Sequence, residues 1–300
     1  MATLCGLFGK KRQWYYANMK ADVSERQRVK LLADMIGYYR LCCPRIGGFK
    51  LFHLLEKDLG HAVTLGRGSF LKVYESKGFK LNPNKRRRTT DSNHVYKRYP
   101  NLIKGKDVRY SNHIWVSDIT YVWILGDVLY LHLVTDAYSH AVLGWCLSDS
   151  LSASHTTEAL RMAIRIAGGG NLCGTIPHSD RGSQYASEAY VSCLMEHHIR
   201  ISMTEGYEPT DNAMAERQNG IFKVEWIYEQ EMYRDKEQAI NEINRMIDFY
   251  NNRRPHMSIG MECPMEVYKG KLPGDYRTIM AIPIGEITVS RGQLIQNPGY

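Results

Sequence analysis

The hydrophobic positions of the first eighty residues follow the spacing of helices. Apolar residues recur three and four positions apart in two segments, the first with Leu51, Leu54 and Leu55 and the second with Phe70, Leu71 and Tyr74. Gly78 is placed to end the second helix. Two short helices joined by a glycine-containing segment are typical of a helix-turn-helix unit that binds DNA, and equally of any small helical bundle. We therefore predict a small helical domain over residues 1–80.

Beyond residue 110 the pattern changes to strands and then to strands alternating with helices. Two segments rich in β-branched and aromatic residues flank Gly126-Asp127, a hairpin signal, and a third follows Ser139-His140. The predicted strands cover 115–125, 128–135, 141–147, 174–179 and 199–203, and the predicted helices cover 154–166, 187–198, 213–228 and 236–250. Three antiparallel strands followed by alternating strands and helices predict an α/β fold with a mixed sheet and flanking helices.

The composition is that of a globular chain. Of the 300 residues, 44% are hydrophobic and 23% charged, which suffices for a sizeable core and two domains. No run of eighteen apolar residues occurs, and basic residues 10–12 stand where a signal peptide needs an apolar stretch. We therefore predict a cytoplasmic protein without a membrane partner. The seven cysteines form no Cys-x-x-Cys pair, and Cys42-Cys43 with His53 and His61 lack zinc-site spacing, so reduced thiols are expected.

Basic residues are concentrated in one part of the chain. The net charge is +8, and the stretch from Lys77 to Arg109 holds eleven basic residues against two acidic ones, an excess of nine that includes Arg86, Arg87 and Arg88. Such a balance favours a polyanionic partner. Residues 81–109 lack hydrophobic periodicity and are predicted to be a basic linker, either a solvated loop or an arm that follows DNA phosphates.

Three carboxylates are candidates for a metal site, one inside a predicted strand, one after a strand and one at the start of a helix. Asp118 stands among apolar neighbours in the first strand, where a charge is costly unless it is paired or lies at a site. Asp180 follows the strand 174–179, and the carboxyl ends of strands are where open α/β sheets bind ligands. Glu216 lies in the first turn of a helix that Asp211 or Asn212 would cap. Taken singly, each has a bland explanation as a surface, turn or helix-dipole residue.

The helix that carries Glu216 has one polar stripe. On a regular helix, Asn219 and Lys223 fall on the same face as Glu216. A cation two turns from a metal-bound carboxylate is suited to a DNA phosphate, so we predict that Asn219 and Lys223 contact DNA. Glu225 is a rival to Glu216, but it lies off this stripe.

The spacing of these residues resembles a known family. Glu216 follows Asp180 by 36 positions, with 35 residues between them, and a lysine stands seven positions after the glutamate. This pattern resembles the D, D-35-E signature of retroviral-integrase-type transposases, and most closely the downstream open-reading-frame product of the insertion-sequence-three family. The resemblance extends over 110–268, with matching segments at 115–121, 136–139, 178–185, 211–213 and 250–256.

The resemblance implies a transposase whose RNase H-like catalytic core spans 110–268 and is followed by a tail, 269–300. Asp118, Asp180 and Glu216 would hold two Mg²⁺ ions, with Mn²⁺ able to substitute, and these would activate water and then a 3′-hydroxyl. Arg254 and His256, in the matching segment 250–256, are expected to contact DNA.

The resemblance also implies partners. They are transposon terminal repeats and target DNA, further copies of the chain in the active complex, and an upstream helix-turn-helix product joined to this one by frameshifting. Residues 21–40 hold no apolar heptads sustained enough for a zipper, so we predict that the chain needs this product to recognise terminal repeats. A nucleoid-associated location follows. The alternatives are a catalytically decayed DNA-binding regulator and a host ribonuclease H or resolvase.

Two further polar residues allow alternative roles. A hairpin centred between Gly126 and Asp127 pairs Asp118 with Thr135, so Asp136 would face the opposite side and is predicted to be a turn residue rather than a fourth ligand. His178 shares the face of Asp180 by alternation. It is predicted to be either an auxiliary group that handles protons or the scissile phosphate, or a hydrogen-bonded structural histidine.

Overall fold

A computed structural model describes five ranges of the chain, namely residues 12–59, 66–81, 99–205, 213–227 and 232–273. Three helices come first, α1 (Arg12–Cys42), α2 (Gly48–Leu59) and α3 (Arg67–Ser76). The two helices predicted from apolar spacing are thus present. Gly78 follows the last of them with φ of +72°, a conformation that glycine adopts at low cost where a helix ends.

A five-stranded mixed sheet forms the centre of the fold. Its strands are β1 (Ile114–Ile124), β2 (Asp127–Asp136), β3 (Val142–Ser148), β4 (Ile176–Ser179) and β5 (Ser202–Met203), in the order β3-β2-β1-β4-β5. The first three strands pair antiparallel, β4 lies parallel to β1, and β5 lies parallel to β4. The predicted α/β fold, a mixed sheet with three antiparallel strands before the parallel ones, is confirmed.

The register of the first hairpin differs from the prediction by two positions. Ile124 pairs with Asp127, so the turn is Leu125-Gly126, and Asp118 pairs with Leu133. The sequence signal placed the turn one residue too late, because Gly126 itself has the positive φ of +83° that the turn requires. A shift of two positions keeps every side chain on its predicted face.

Asp136 occupies the turn role predicted for it. It is buried and accepts hydrogen bonds from the backbone N–H groups of Asn112, at 2.7 Å, and Ser139, at 2.8 Å. Burial raises its pKa, and these hydrogen bonds oppose the rise. Because its oxygens satisfy the turn, Asp136 is not placed as a metal ligand.

Helices cover the sheet. They are α4 (Ala153–Ile166), α5 (Glu188–Glu196), α6 (Ala213–Phe222), α7 (Lys236–Asn252) and α8 (Pro264–Tyr268). Helix α4 lies so close to β3 that a Cβ on Gly144 would come within 1.9 Å of the carbonyl oxygen of Ala159. Glycine is therefore required at that point of the strand.

The helices before the sheet pack into the same hydrophobic core as the sheet. One buried cluster unites Leu32 and Ile36 of α1 with Val122 of β1 and with Ile243 of α7. The Nε1 of Trp226 donates to the carbonyl oxygen of Cys42 at 2.7 Å. The division into 1–80, 81–109, 110–268 and 269–300 stays a prediction. Among the described residues, no helix is both long enough and apolar enough to cross a membrane.

Candidate active site

Asp118 lies near the middle of β1, with its carboxylate held by two hydrogen bonds. One oxygen accepts the backbone N–H of Ile119 at 2.8 Å, and the other accepts the side-chain amide of Asn219 on α6. The side chain is half-buried. Strand β1 and helix α6 therefore fix the orientation of this carboxylate together.

Asp180 is brought beside Asp118 by the register of two parallel strands. Ser117 of β1 pairs with Ser179 of β4, so the next residues on the two strands lie at the same level. One oxygen of Asp180 accepts the backbone N–H of Gly182 at 2.9 Å. A Cβ on Gly182 would stand 2.9 Å from that oxygen and 2.4 Å from the side-chain nitrogen of Gln184, so a larger residue there would displace these two side chains.

The electrostatics of the site indicate that it binds a cation. Burial, and next the negative charge of Asp180, raise the pKa of Asp118 to about 7, against the hydrogen bonds from Ile119 and Asn219 and the charge of Lys223. Two adjacent carboxylates in this state gain from a divalent cation placed between them, and carboxylate oxygens are the ligands that Mg²⁺ prefers. The donor set thus fits the metal that the resemblance implies.

Glu216 lies on the helix that packs against β1. It stands in α6, one turn before Asn219, whose side chain bonds Asp118. Its side chain lies outside the described residues, so its place in the triad stays a prediction.

The chain is similar to proteins of mobile elements. Residues 109–209 and residues 197–264 each match an integrase core domain family. The protein of insertion sequence element IS986/IS6110 from Mycobacterium tuberculosis is 33% identical over 187 residues, which cover 61% of this chain and 67% of that protein. Transposase InsF for insertion sequence IS3A from Escherichia coli is 35% identical over 150 residues, which cover 50% of this chain and 51% of InsF.

The chain belongs to the insertion-sequence-three family of transposases. It is a DDE-type transposase with an integrase core, and this type of core depends on divalent metal ions. The alternative of a host ribonuclease H or resolvase is therefore wrong. Among solved structures, the chain is similar to the HTLV-2 integrase catalytic core domain in complex with magnesium. The two are 21% identical with a TM-score of 0.41, and the match covers 53% of this chain and 97% of that domain.

The transposase uses Asn219 differently from the prediction that it contacts DNA. Its side chain is only 4% exposed and its amide donates to Asp118, so it positions a carboxylate. Lys223 is half-buried and lies close enough to favour the ionised form of Asp118.

The predicted helix 213–228 is not a regular α-helix throughout, because α6 ends at Phe222 and a π-helical turn, Lys223–Ile227, follows. Such turns insert a residue and rotate the helix face.

The π turn carries a buried ion-pair network. Glu225 binds the guanidinium of Arg254 through both oxygens, at 2.7 and 2.6 Å, and the ammonium of Lys50 at 2.7 Å. Burial opposes ionisation of Glu225, but the charges and hydrogen bonds of Arg254 and Lys50 outweigh it and lower the pKa to about 2. Glu225 thus anchors the end of the helix that carries Glu216 to α2 and to the segment after α7.

Arg254 and His256 are not on a surface open to DNA, contrary to the prediction. Arg254 is 1% exposed and paired with Glu225. His256 is buried, with Nδ1 at 2.8 Å from the hydroxyl of Ser258. Burial, and then the nearby His140 and Arg254, lower the pKa of His256 to about 2, so it carries no charge for a phosphate. The sequence predicts a contact surface here because it does not show the distant partner Glu225, which binds Arg254.

His178 takes the structural role of its two alternatives. It is fully buried on β4, and its Nδ1 lies 2.8 Å from the hydroxyl of Ser202 on β5. It therefore joins neighbouring strands and is not placed to exchange protons with substrate. Arg86, Arg87 and Arg88 lie outside the described residues.

The structure adds a residue that sequence reasoning missed. The side chain of Asn251 forms two hydrogen bonds with the backbone of Val142, accepting from its N–H at 2.9 Å and donating to its carbonyl at 2.8 Å. This occurs where the β2–β3 register shifts by one residue. The only sequence signal was its place in the matching segment 250–256, which gave no partner.

Proposed function

We propose that this transposase cuts DNA at the ends of an insertion sequence and joins those ends to target DNA, using Asp118, Asp180 and Glu216 to hold two Mg²⁺ ions, with Mn²⁺ able to substitute. The observation that carries the proposal is the pairing of Ser117 with Ser179, which sets two carboxylates side by side on parallel strands. The raised pKa of Asp118 supports it, since a bound divalent cation would offset the repulsion between them.

The chain's own residues supply position and charge. Metal ions held by the three carboxylates would supply Lewis-acid activation of the attacking water or 3′-hydroxyl and stabilisation of the leaving oxygen. Asn219 holds the carboxylate of Asp118 in place, and the N–H of Gly182 does the same for Asp180. Lys223 is available to a phosphate beside the site. Prepositioned groups of this kind lower the barrier without a covalent nucleophile on the protein.

We propose the partners on the same basis. They are terminal-repeat and target DNA, other copies of the chain, and the upstream helix-turn-helix product or its frameshift fusion, acting in the cytoplasm at the nucleoid. Arg86, Arg87 and Arg88 in the 81–109 linker are proposed to follow phosphates. The basic excess between Lys77 and Arg109 supports this.

The test is strand transfer of a labelled terminal-repeat oligonucleotide with Mg²⁺, using the frameshift fusion. Asp118→Asn, Asp180→Asn and Glu216→Gln should each abolish cleavage and joining, while Glu196→Gln, an exposed carboxylate on α5, should leave both unchanged. Binding of the oligonucleotide is measured in parallel to show that each variant is folded. Near-normal joining by one variant removes that residue from the triad, and a wild type that binds DNA without metal-dependent joining supports the decayed regulator instead.

A further inference from the structure

A second group of metal-ligand side chains lies away from the carboxylate site. Cys146 is on the edge strand β3, and His155 and Glu158 are one turn apart on α4. Their ligand atoms all lie within 4.8 Å of one another. The proposed catalytic carboxylates are on β1, after β4 and on α6, so this group belongs to different elements of the fold.

The close packing of α4 on β3 creates this group. Gly144 and Cys146 share one face of β3, because they are two residues apart on a strand. Gly144 lets the backbone of Ala159 approach closely, and His155 is one helical turn before Ala159. The thiol of Cys146 is therefore directed at the first turns of α4, where His155 and Glu158 meet it.

The two distances from the sulfur of Cys146 are close to the edges of a tetrahedron around zinc. With bonds of about 2.3 Å to sulfur and about 2.1 Å to nitrogen or oxygen, neighbouring ligand atoms in a tetrahedral site stand roughly 3.6 Å apart for sulfur and either partner. The sulfur of Cys146 lies 3.9 Å from Nδ1 of His155 and 3.4 Å from Oε2 of Glu158. Glu158 is exposed, so small movements of its side chain would complete the geometry.

We propose that Cys146, His155 and Glu158 form a binding site for a borderline-soft divalent transition ion such as Zn²⁺, with water as the fourth ligand. On binding, the S–H bond of Cys146 breaks, a sulfur–metal bond forms, and the proton passes to solvent. Thiolate and imidazole favour zinc over Mg²⁺. The neighbouring His132 is not counted as a ligand, because both its ring nitrogens are engaged, by Thr156 at 2.9 Å and Ser148 at 3.0 Å.

Such an ion would join the edge strand to the helix that covers it. Cys146 belongs to β3, the outermost strand on one side of the sheet, and α4 is its main covering element. A metal bond between the two adds a cross-link at the sheet margin. We therefore expect Zn²⁺ to raise the unfolding temperature, and Mg²⁺ at the same concentration to have no effect through this group.

The experiment is titration of the reduced 300-residue chain with Co²⁺, a spectroscopic substitute for Zn²⁺. One equivalent should produce a thiolate-to-metal charge-transfer band, which oxygen ligands at the carboxylate site cannot give. Cys146→Ser should abolish the band and the Zn²⁺-induced rise in unfolding temperature, and His155→Gln should abolish or greatly weaken the band. Cys173→Ser, an exposed cysteine outside the group, should change neither.

The proposal is overturned if the wild type gives no such band, or if Cys146→Ser retains it. Circular dichroism of each metal-free variant shows whether it is folded. If Cys146→Ser does not fold, Cys146→Ala and His155→Gln decide in its place, since removal of either ligand must weaken the band.

Discussion

Asp118 and Glu225 are two carboxylates withdrawn from water whose pKa values move in opposite directions. Burial, and then the adjacent Asp180, raise the pKa of Asp118 to about 7. Glu225 is buried as well, yet Arg254 and Lys50 outweigh that burial and lower its pKa to about 2. The difference lies in the partners and not in the burial, since one carboxylate faces another carboxylate and the other faces two cations.

This difference distinguishes a carboxylate that stabilises the fold from one that is arranged to bind a metal ion. A carboxylate that is neutralised by cations of the same protein needs no ligand, and its ion pairs hold secondary-structure elements together. A carboxylate that faces another is arranged for a charge that arrives with a ligand. The two sites share one helical segment, because Asn219 bonds Asp118 and Glu225 follows six positions later in the π turn. The ion-pair network therefore holds the helix on which the proposed metal site depends.

The largest expected effect comes from breaking the network. Glu225→Ala leaves Arg254 and Lys50 buried without their anion, which typically costs about 3 to 5 kcal/mol. At about 2 to 4 °C per kcal/mol, the unfolding temperature should fall by roughly 6 to 20 °C. Thermal denaturation followed by circular dichroism measures it.

The matched control is Glu242→Ala, which breaks the surface pair with Arg245 at 2.8 Å. Surface pairs contribute about 0 to 1 kcal/mol, so this variant should unfold within about 4 °C of the wild type. Equal losses for the two variants would contradict the scaffold role of Glu225.

At the Asp118–Asp180 pair, loss of a carboxylate is expected to raise the unfolding temperature. In the metal-free protein, the pKa of Asp118 is raised from 3.8 to about 7, so its ionisation weakens the fold increasingly as the pH rises through that window. Asp118→Asn should therefore unfold about 2 to 8 °C above the wild type at pH 8, with a smaller gap at pH 5. Mg²⁺ should then stabilise the wild type and not the variant.

Asp107→Asn serves as control, because Asp107 is exposed and pairs only loosely, at 3.9 Å, with the equally exposed Arg109. A variant at position 118 that melts below the wild type at pH 8 without metal would show that the carboxylate contributes to the scaffold after all.

For Glu225, acid is expected to lower the stability of the fold, by less than the effects above. Its folded pKa of about 2 lies below the ordinary value of 4.5, so its contribution to stability is fully present above pH 4.5 and is lost as the pH falls towards 2. Urea denaturation should find the wild type more stable than Glu225→Gln at pH 7, and the difference should shrink by pH 3.5. A difference independent of pH would mean that the charge of Glu225 is not what stabilises the fold.

The sequence predicted those parts of the fold that local patterns encode. Alternation and turn residues located all five strands. An acid among apolar strand residues singled out Asp118, and an acid after a strand singled out Asp180; the sheet brings the two together. Side chains alternate between the two faces of a strand with a period of two residues. A register error of two positions therefore left Asp118 and Asp136 on the faces predicted for them.

The sequence failed where a role depends on a distant partner. Arg254 is a residue type that often contacts DNA. It is buried because it pairs with Glu225, 29 positions away, which also binds Lys50 of α2, 175 positions away from Glu225. The π turn was also invisible, because a regular helix was assumed through residue 228. Asn219 was correctly placed on the face of the site but given the wrong partner.

The smallest expected effect concerns Lys223, which lies between the two carboxylate sites. It is half-buried at the first position of the π turn, and its charge favours the ionised form of Asp118. If it also binds one phosphate, Lys223→Gln should flatten the slope of log K against log salt for duplex DNA by about 0.9. Fluorescence anisotropy measures the slope, with the exposed Lys269→Gln as control. An unchanged slope together with a changed Mg²⁺ requirement for strand transfer would assign Lys223 to the carboxylate pair alone, because a charge that acts only within the site releases no counterion from DNA.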